Sequence, residues 1–216
     1  MNNSQDTEDL VAKLLSEMRD NILCSFLQFV FCEVGNEYFK SPGARGQHHA
    51  YEGGLAFHSA SAAQLGSNIA DHYNSIGIKV NRDLVVAGIL IHDIGKIYCY
   101  EKTDSSREKE TISGGYTHTQ DGLMLHHIPM GYGLVLSLAE KFNGSRKKDD
   151  HRIDAKKIRK LLHIILSHHG RRMWSSPVIP KFTEAYIVHA VEMMDGYIEK
   201  FSQGKPVDTI YDGVNL

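Results

Sequence analysis

Nowhere in this chain of 216 residues is there a run near the ~18 apolar residues that a membrane-spanning helix needs. The first ten residues are polar and acidic, unlike a secretory signal. Cysteine is scarce: Cys24, Cys32 and Cys99 form no CxxC pair, which excludes a disulfide scaffold and points to a reducing, cytoplasmic setting. Charge of one sign is also lacking. With 24 Lys and Arg against 26 Asp and Glu, the net charge of -2 argues against a general nucleic-acid coat protein, though not against a local basic patch. What the chain has in quantity is histidine, 13 residues in all.

Helical periodicity dominates and no convincing strand series is visible, so the fold class is all-α. Residues 7–38 carry Leu10, Leu14, Ile22, Leu23, Phe26, Phe29, Val30 and Val34 without a proline, which predicts one or two amphipathic helices. Ser41, Pro42 and Gly43 stop them. Further helices are expected at about 55–72, 82–93, 122–142, 154–169 and 183–201. The charged, Gly-bearing segment 101–119 reads as a long loop, a candidate lid. The division expected is an N-terminal helical segment (1–40) packing on a core domain (41–201), then a C-terminal tail (202–216).

Residues three and four apart share a helix face. His58 then lies in the row Leu55, Ala62, Leu65, Ile69. His92 completes Val85, Gly88 and Ile89, and Asp93 completes Val86, Ile89 and Leu90. His168 follows Leu161, Ile164 and Ile165, and Asp195 lies between Val188, Val191 and Ile198. A buried carboxylate finds a cation or protonates, and no lysine or arginine shares these rows. A divalent transition metal (Mn, Fe, Co, Ni or Zn) suits such a His and carboxylate set, and calcium does not. Neighbours on a helix diverge by about 100°, so His92 and Asp93 can reach one site only near a helix end, which Ile94 and Gly95 supply.

The pattern His58, His92-Asp93, Asp195, with HDIGK at 92–96, resembles the HD superfamily of metal-dependent phosphohydrolases. His127 and His168 resemble the additional ligands of its two-metal members. HHAYEGGLAFH (48–58), LHHIPMG (125–131), ILSHHG (165–170) and SPVIP (176–180) are similar to the HD domain of YhaM-type 3'-5' exoribonucleases, and the GG-L-x-x-H block also resembles the HD module of TraI-type relaxases. The resemblance implies a helical HD bundle with one or two divalent metals between helices, Asp93 bridging them, and hydrolysis of a phosphate ester by a metal-activated water. It implies His58, His92, Asp93 and Asp195 on one metal, with His127 and His168 on the other. His126 and His169 stand as alternates beside these two. The HD-GYP branch uses a glutamate where this chain has Gly54, which argues against a third metal and a cyclic-di-GMP substrate. The OB-fold that precedes the HD domain in YhaM-type enzymes has no counterpart in the first 40 residues, which read as helix.

Lys96 follows Asp93 by one turn and is expected to donate to a phosphate oxygen. His48, His49 and Tyr51, on the turn before His58, are candidate substrate contacts. So are Arg171 and Arg172, which end a stretch (145–172) holding ten Lys or Arg against three Asp. Trp174 beside them could stack on a base or anchor the loop. The leading reading is a phosphodiesterase or nuclease acting on short single-stranded nucleic acid. The rivals are a nucleotide or small phosphate-ester hydrolase, a di-iron oxygenase, and a non-catalytic relaxase-like DNA-binding module.

Overall fold

The computed structural model describes residues 4–44, 49–103, 115–147, 151–202 and 204. His48, most of the 101–119 segment and nearly all of the 202–216 tail therefore lie outside the described residues. The fold is helical. Helix α1 (Ser4–Ser16) buries Thr7, Val11 and Leu14 on one stripe, and α2 (Asn21–Val34) buries Leu23, Phe26, Leu27, Val30 and Val34. Asp20 caps α2 by accepting from the Leu23 N–H, and Gly35, at φ 57°, ends it. A short α3 (Glu37–Lys40) follows.

The centre of the molecule is α5 (Arg82–Ile91), whose residues from Asp83 to Ile91 are all buried. A helix apolar on every side must be wrapped by others. The long α4 (Gly54–Ser75) lies along it, and its small residues permit the approach: a Cβ at Gly66 would stand 2.4 Å from Ile89 Cδ1. Helices α8 (Ala155–Ser167) and α9 (Thr183–Ser202) cover other faces of α5, and α7 (His127–Gly144) packs on α8 and α2. Asp154 caps α8, accepting from the Lys156 and Lys157 N–H groups. The buried Asp83 carboxylate takes the Arg19 and Asp20 N–H groups, tying the α1–α2 junction to α5.

Two details differ from the sequence expectation. A two-stranded antiparallel hairpin, β1 (Tyr100–Lys102) with β2 (Tyr116–His118), flanks the 104–114 segment. The helix expected over 122–142 is broken: α6 (Gln120–Leu125) ends at His126, and α7 starts anew at His127. Pro129 explains the break. It lacks the N–H that a continuous helix would need there, yet it is tolerated in a first turn. Among the described residues no helix is long and apolar enough to cross a membrane.

Candidate metal centre

Helix α5 stops at Ile91, leaving His92 at its C-cap and Asp93 in the sparsely populated bridge region (φ -103°, ψ 9°) before a 3₁₀ turn at Ile94–Tyr98. That turn away from the helix axis lets both adjacent side chains face one space. Gly95 makes it possible, since a Cβ there would stand 2.0 Å from the His127 carbonyl oxygen and 2.5 Å from the Gly131 nitrogen. The same close approach sets the first turn of α7, and so His127, against Asp93.

Asp93 is fully buried and its two oxygens face different ways. Oδ2 lies 3.3 Å from His92 Nε2 and 4.0 Å from His58 Nε2. Oδ1 lies 3.2 Å from His127 Nε2 and 3.4 Å from His168 Nε2. Around the first oxygen, ligand atoms of His58, His92, Asp93 and Glu192 fall within 4.8 Å of one another. A second such group comprises His127, His168 and His169.

Backbone carbonyls fix how the rings present themselves. His92 Nδ1–H donates to the Ile89 carbonyl (2.6 Å), His168 Nδ1–H to Ile165 (2.8 Å) and His169 Nδ1–H to Trp174 (2.6 Å). Each ring, when neutral, then turns an Nε2 lone pair inward. On the His127 side, Asp93 Oδ1, His127 Nε2 and His168 Nε2 are all buried without a hydrogen bond. With its Nδ1–H on Ile165, the His168 ring aims a lone pair at the Asp93 carboxylate, and in a buried space a cation between them removes the repulsion. The donor set therefore fits a divalent transition metal on either side of Asp93.

Glu192 is the residue that sequence reasoning missed. Its Oε2 is 2.7 Å from His58 Nε2 and 3.0 Å from His92 Nε2. Asp195 lies on the other edge of His58, with Oδ2 at 2.6 Å from Nδ1, in a third group, with His49, whose ligand atoms also fall within 4.8 Å of one another. The signal was present: Glu192 follows Val188 by four and precedes Asp195 by three on the same face of α9. A second expectation needs correcting, since a basic residue does reach the buried carboxylate. Lys96 Nζ lies 2.5 Å from Asp93 Oδ2 and is itself buried, coming from the 3₁₀ turn rather than from any apolar row.

The electrostatics follow the geometry. Burial would push the His58 imidazole down, but Glu192 and Asp195 outweigh it and raise it to about 10. His92, lowered by burial, is raised by Asp93 and Glu192 to about 9. Burial opposes ionisation of Asp93 too, yet Lys96, then His92 and His127, hold it well below the usual carboxylate range. His58 and His92 do the same for Glu192. On the other side, burial keeps His127, His168 and His169 low, His169 at about 3.

The remaining expected residues are spread around this centre. His49 is buried rather than on an open turn: its Nε2 lies 3.0 Å from both Asp195 Oδ2 and Glu199 Oε2, and its Nδ1 3.3 Å from the Tyr51 hydroxyl. A Cβ at Gly54 would meet the His49 carbonyl at 2.0 Å, so that glycine seats the turn. Arg171 and Arg172 are exposed, and the Arg171 guanidinium lies 4.5 Å over the Trp174 ring. Part of the basic stretch is spent internally, with Lys157 on Asp20 and Lys160 on Glu184. His126 is half-buried at the α6–α7 break and lies outside both four-residue and three-residue ligand groups around Asp93.

Comparison with known proteins agrees with this geometry. The HD-domain family profile matches residues 55–197. The 3'-5' exoribonuclease YhaM of Listeria monocytogenes serotype 4b is 30% identical over 195 residues, covering 89% of this chain and 54% of that protein. The YhaM proteins of Bacillus licheniformis and Bacillus subtilis strain 168 are each 29% identical over 212 residues, covering 94% of this chain and 60% of theirs. The chain thus spans little more than half the length of these relatives. No solved structure matches. The matched span encloses His58, the HDIGK turn, both outer histidine pairs and Glu192, and the chain belongs to the HD-domain family of metal-dependent phosphohydrolases.

Proposed function

We propose that this chain is a cytoplasmic phosphodiesterase that hydrolyses short single-stranded nucleic acid, in the manner of a 3'-5' exonuclease. The observation that carries the metal chemistry is the Asp93 carboxylate, set between His58, His92 and Glu192 on one side and His127 and His168 on the other. The single-stranded substrate rests on the likeness to proteins named 3'-5' exoribonucleases. In this reading residues 41–201 form the catalytic domain and 1–40 brace it.

His58, His92, Glu192 and Asp93 Oδ2 would hold one ion, and His127, His168, His169 and Asp93 Oδ1 a second. Manganese, iron, cobalt, nickel or zinc suits this mixture of imidazole and carboxylate. Such ions lower the pKa of a bound water and offset the charge of phosphate oxygens. The chain's own residues do the positioning. Asp195 fixes His58 through Nδ1, with His49, Tyr51 and Glu199 as its outer support. Lys96, expected from sequence to reach the phosphate, instead pins Asp93 and balances the anionic side of the centre. Arg171 and Arg172, exposed on the loop that hydrogen-bonds His169 through Trp174, draw in the polyanionic strand.

Metal analysis of the purified protein, followed by incubation of a short end-labelled single-stranded RNA with manganese, tests this. Stepwise release of nucleoside monophosphates is the expected result. Turnover of mononucleotides alone would replace the reading with a small phosphate-ester hydrolase, and protein without transition metal would remove its basis.

A further inference from the structure

Three non-glycine residues among those described have positive φ: His49 (54°), His126 (65°) and Ser175 (68°). All three lie on turns that flank the centre. Ser175, with ψ at 9°, is an ordinary left-handed turn residue, and the His49 ring is held by Asp195 and Glu199. His126 differs from both. Its ψ of 155° puts it in a region essentially reserved for glycine, where a side chain strains the backbone.

The break between α6 and α7 requires that conformation, because the His126 N–H closes α6 on the Gly122 carbonyl while its own carbonyl accepts from Met130 N–H in α7. Glycine would adopt it freely. The imidazole gives no local return, since its ring nitrogens hold no hydrogen bond among the described residues. What it has is position: its centroid is 4.3 Å from that of His127, it stays half-exposed, and its electrostatic neighbours are Lys96, Asp93, His168 and His118. Backbone strain of this kind clusters at ligand-binding sites, and here it falls on a half-buried residue beside His127.

We infer that His126 contacts the substrate, donating a ring N–H to an oxygen of the phosphate held beside the His127 side of the centre. A neutral imidazole carries one N–H in either tautomer, so the contact needs no protonation. The inference rests on the phosphohydrolase reading of the centre. It does not depend on which ester is cleaved.

The test compares His126→Gly and His126→Ala in the full chain. Relief of strain should raise the thermal midpoint of metal-free His126→Gly by about 2–4 °C, with no such gain in His126→Ala. Both variants should keep the manganese content of the parent. Both should bind inorganic phosphate about tenfold more weakly in the manganese-loaded state, as expected for one lost hydrogen bond. Unchanged phosphate affinity in both would overturn the contact, and loss of manganese would make His126 a ligand instead. A glycine variant no more stable than the parent would overturn the strain argument. A parent protein that fails to cleave oligonucleotides, with phosphate binding weakened in the variants, would sink the exonuclease reading and leave the contact standing.

Discussion

The His58 side of the centre sets two carboxylates against two imidazoles, while the His127 side sets three imidazoles against a single oxygen borrowed from Asp93. Without metal the two sides handle burial in opposite ways. His58 and His92 are raised to about 10 and about 9, so that side neutralises its own anions by holding protons. His127, His168 and His169 are driven down by burial and stay neutral, and the buried Nε2 atoms of His127 and His168 have no hydrogen-bond partner among the described residues. One side must exchange protons for metal, and the other is already stripped for it. Among the described residues, Asp93 is the group that faces both sides.

The largest effect should therefore come from Asp93→Asn, which keeps the shape and removes the shared charge. Both ions should be lost and turnover should fall by at least ~10³-fold, the upper end for one electrostatic stabiliser. The variant also leaves the Lys96 ammonium buried without its partner, a loss of about 3–5 kcal/mol for pairs of this kind. Should it fail to fold, Asp93→Asn with Lys96→Met restores the balance of charge and isolates the effect on metal content. Retention of one full equivalent of metal in either protein would show that the two sides do not share this carboxylate.

Separating Glu192 from Asp195 sharpens the comparison within the first side. Glu192→Gln removes a group in contact with both His58 and His92 and should cost that side its ion, leaving the His127 side loaded. Asp195→Asn touches His58 only at its far nitrogen, and otherwise His49. It should keep the ion but weaken its binding roughly 10–100-fold, the range for an orienting partner. Metal stoichiometry and competition with a chelator distinguish the two. If Asp195→Asn lost the ion outright while Glu192→Gln retained it, the roles assigned to these two acids would be reversed.

These acids also show where sequence reasoning stops. The apolar rows that surround His58, His92 and His168 were visible, because burial follows the 3.6-residue period of each helix. The stop after Asp93 was visible as well, since Gly95 marks it. On α9, however, Glu192 and Asp195 share one face, and periodicity cannot say which reaches His58 Nε2 and which Nδ1. That choice depends on the packing of α9 on α4 and α5. Lys96 eluded the row test because it comes from a 3₁₀ turn rather than a helix face. The β1–β2 hairpin, three residues a strand, is too short for alternation to register.

The smallest effect bears on the protons themselves. For an ion to bind the His58 side, the imidazole Nε2 atoms must be free, so protons held with raised pKa have to leave. The sign follows: at pH 7 these rings are charged, so binding there releases protons and its apparent affinity climbs with pH until the pH passes about 9 to 10. On the His127 side the rings titrate below their ordinary range, so they are already neutral at pH 7 and binding releases almost none. His168→Ala should load only the first side, and Glu192→Gln only the second. Titrating manganese into each in weak buffer at pH 7.5 should release about one to two protons per ion from the first protein and close to none from the second. Equal release from both would mean that the two sides of Asp93 do not differ in charge as their geometry requires.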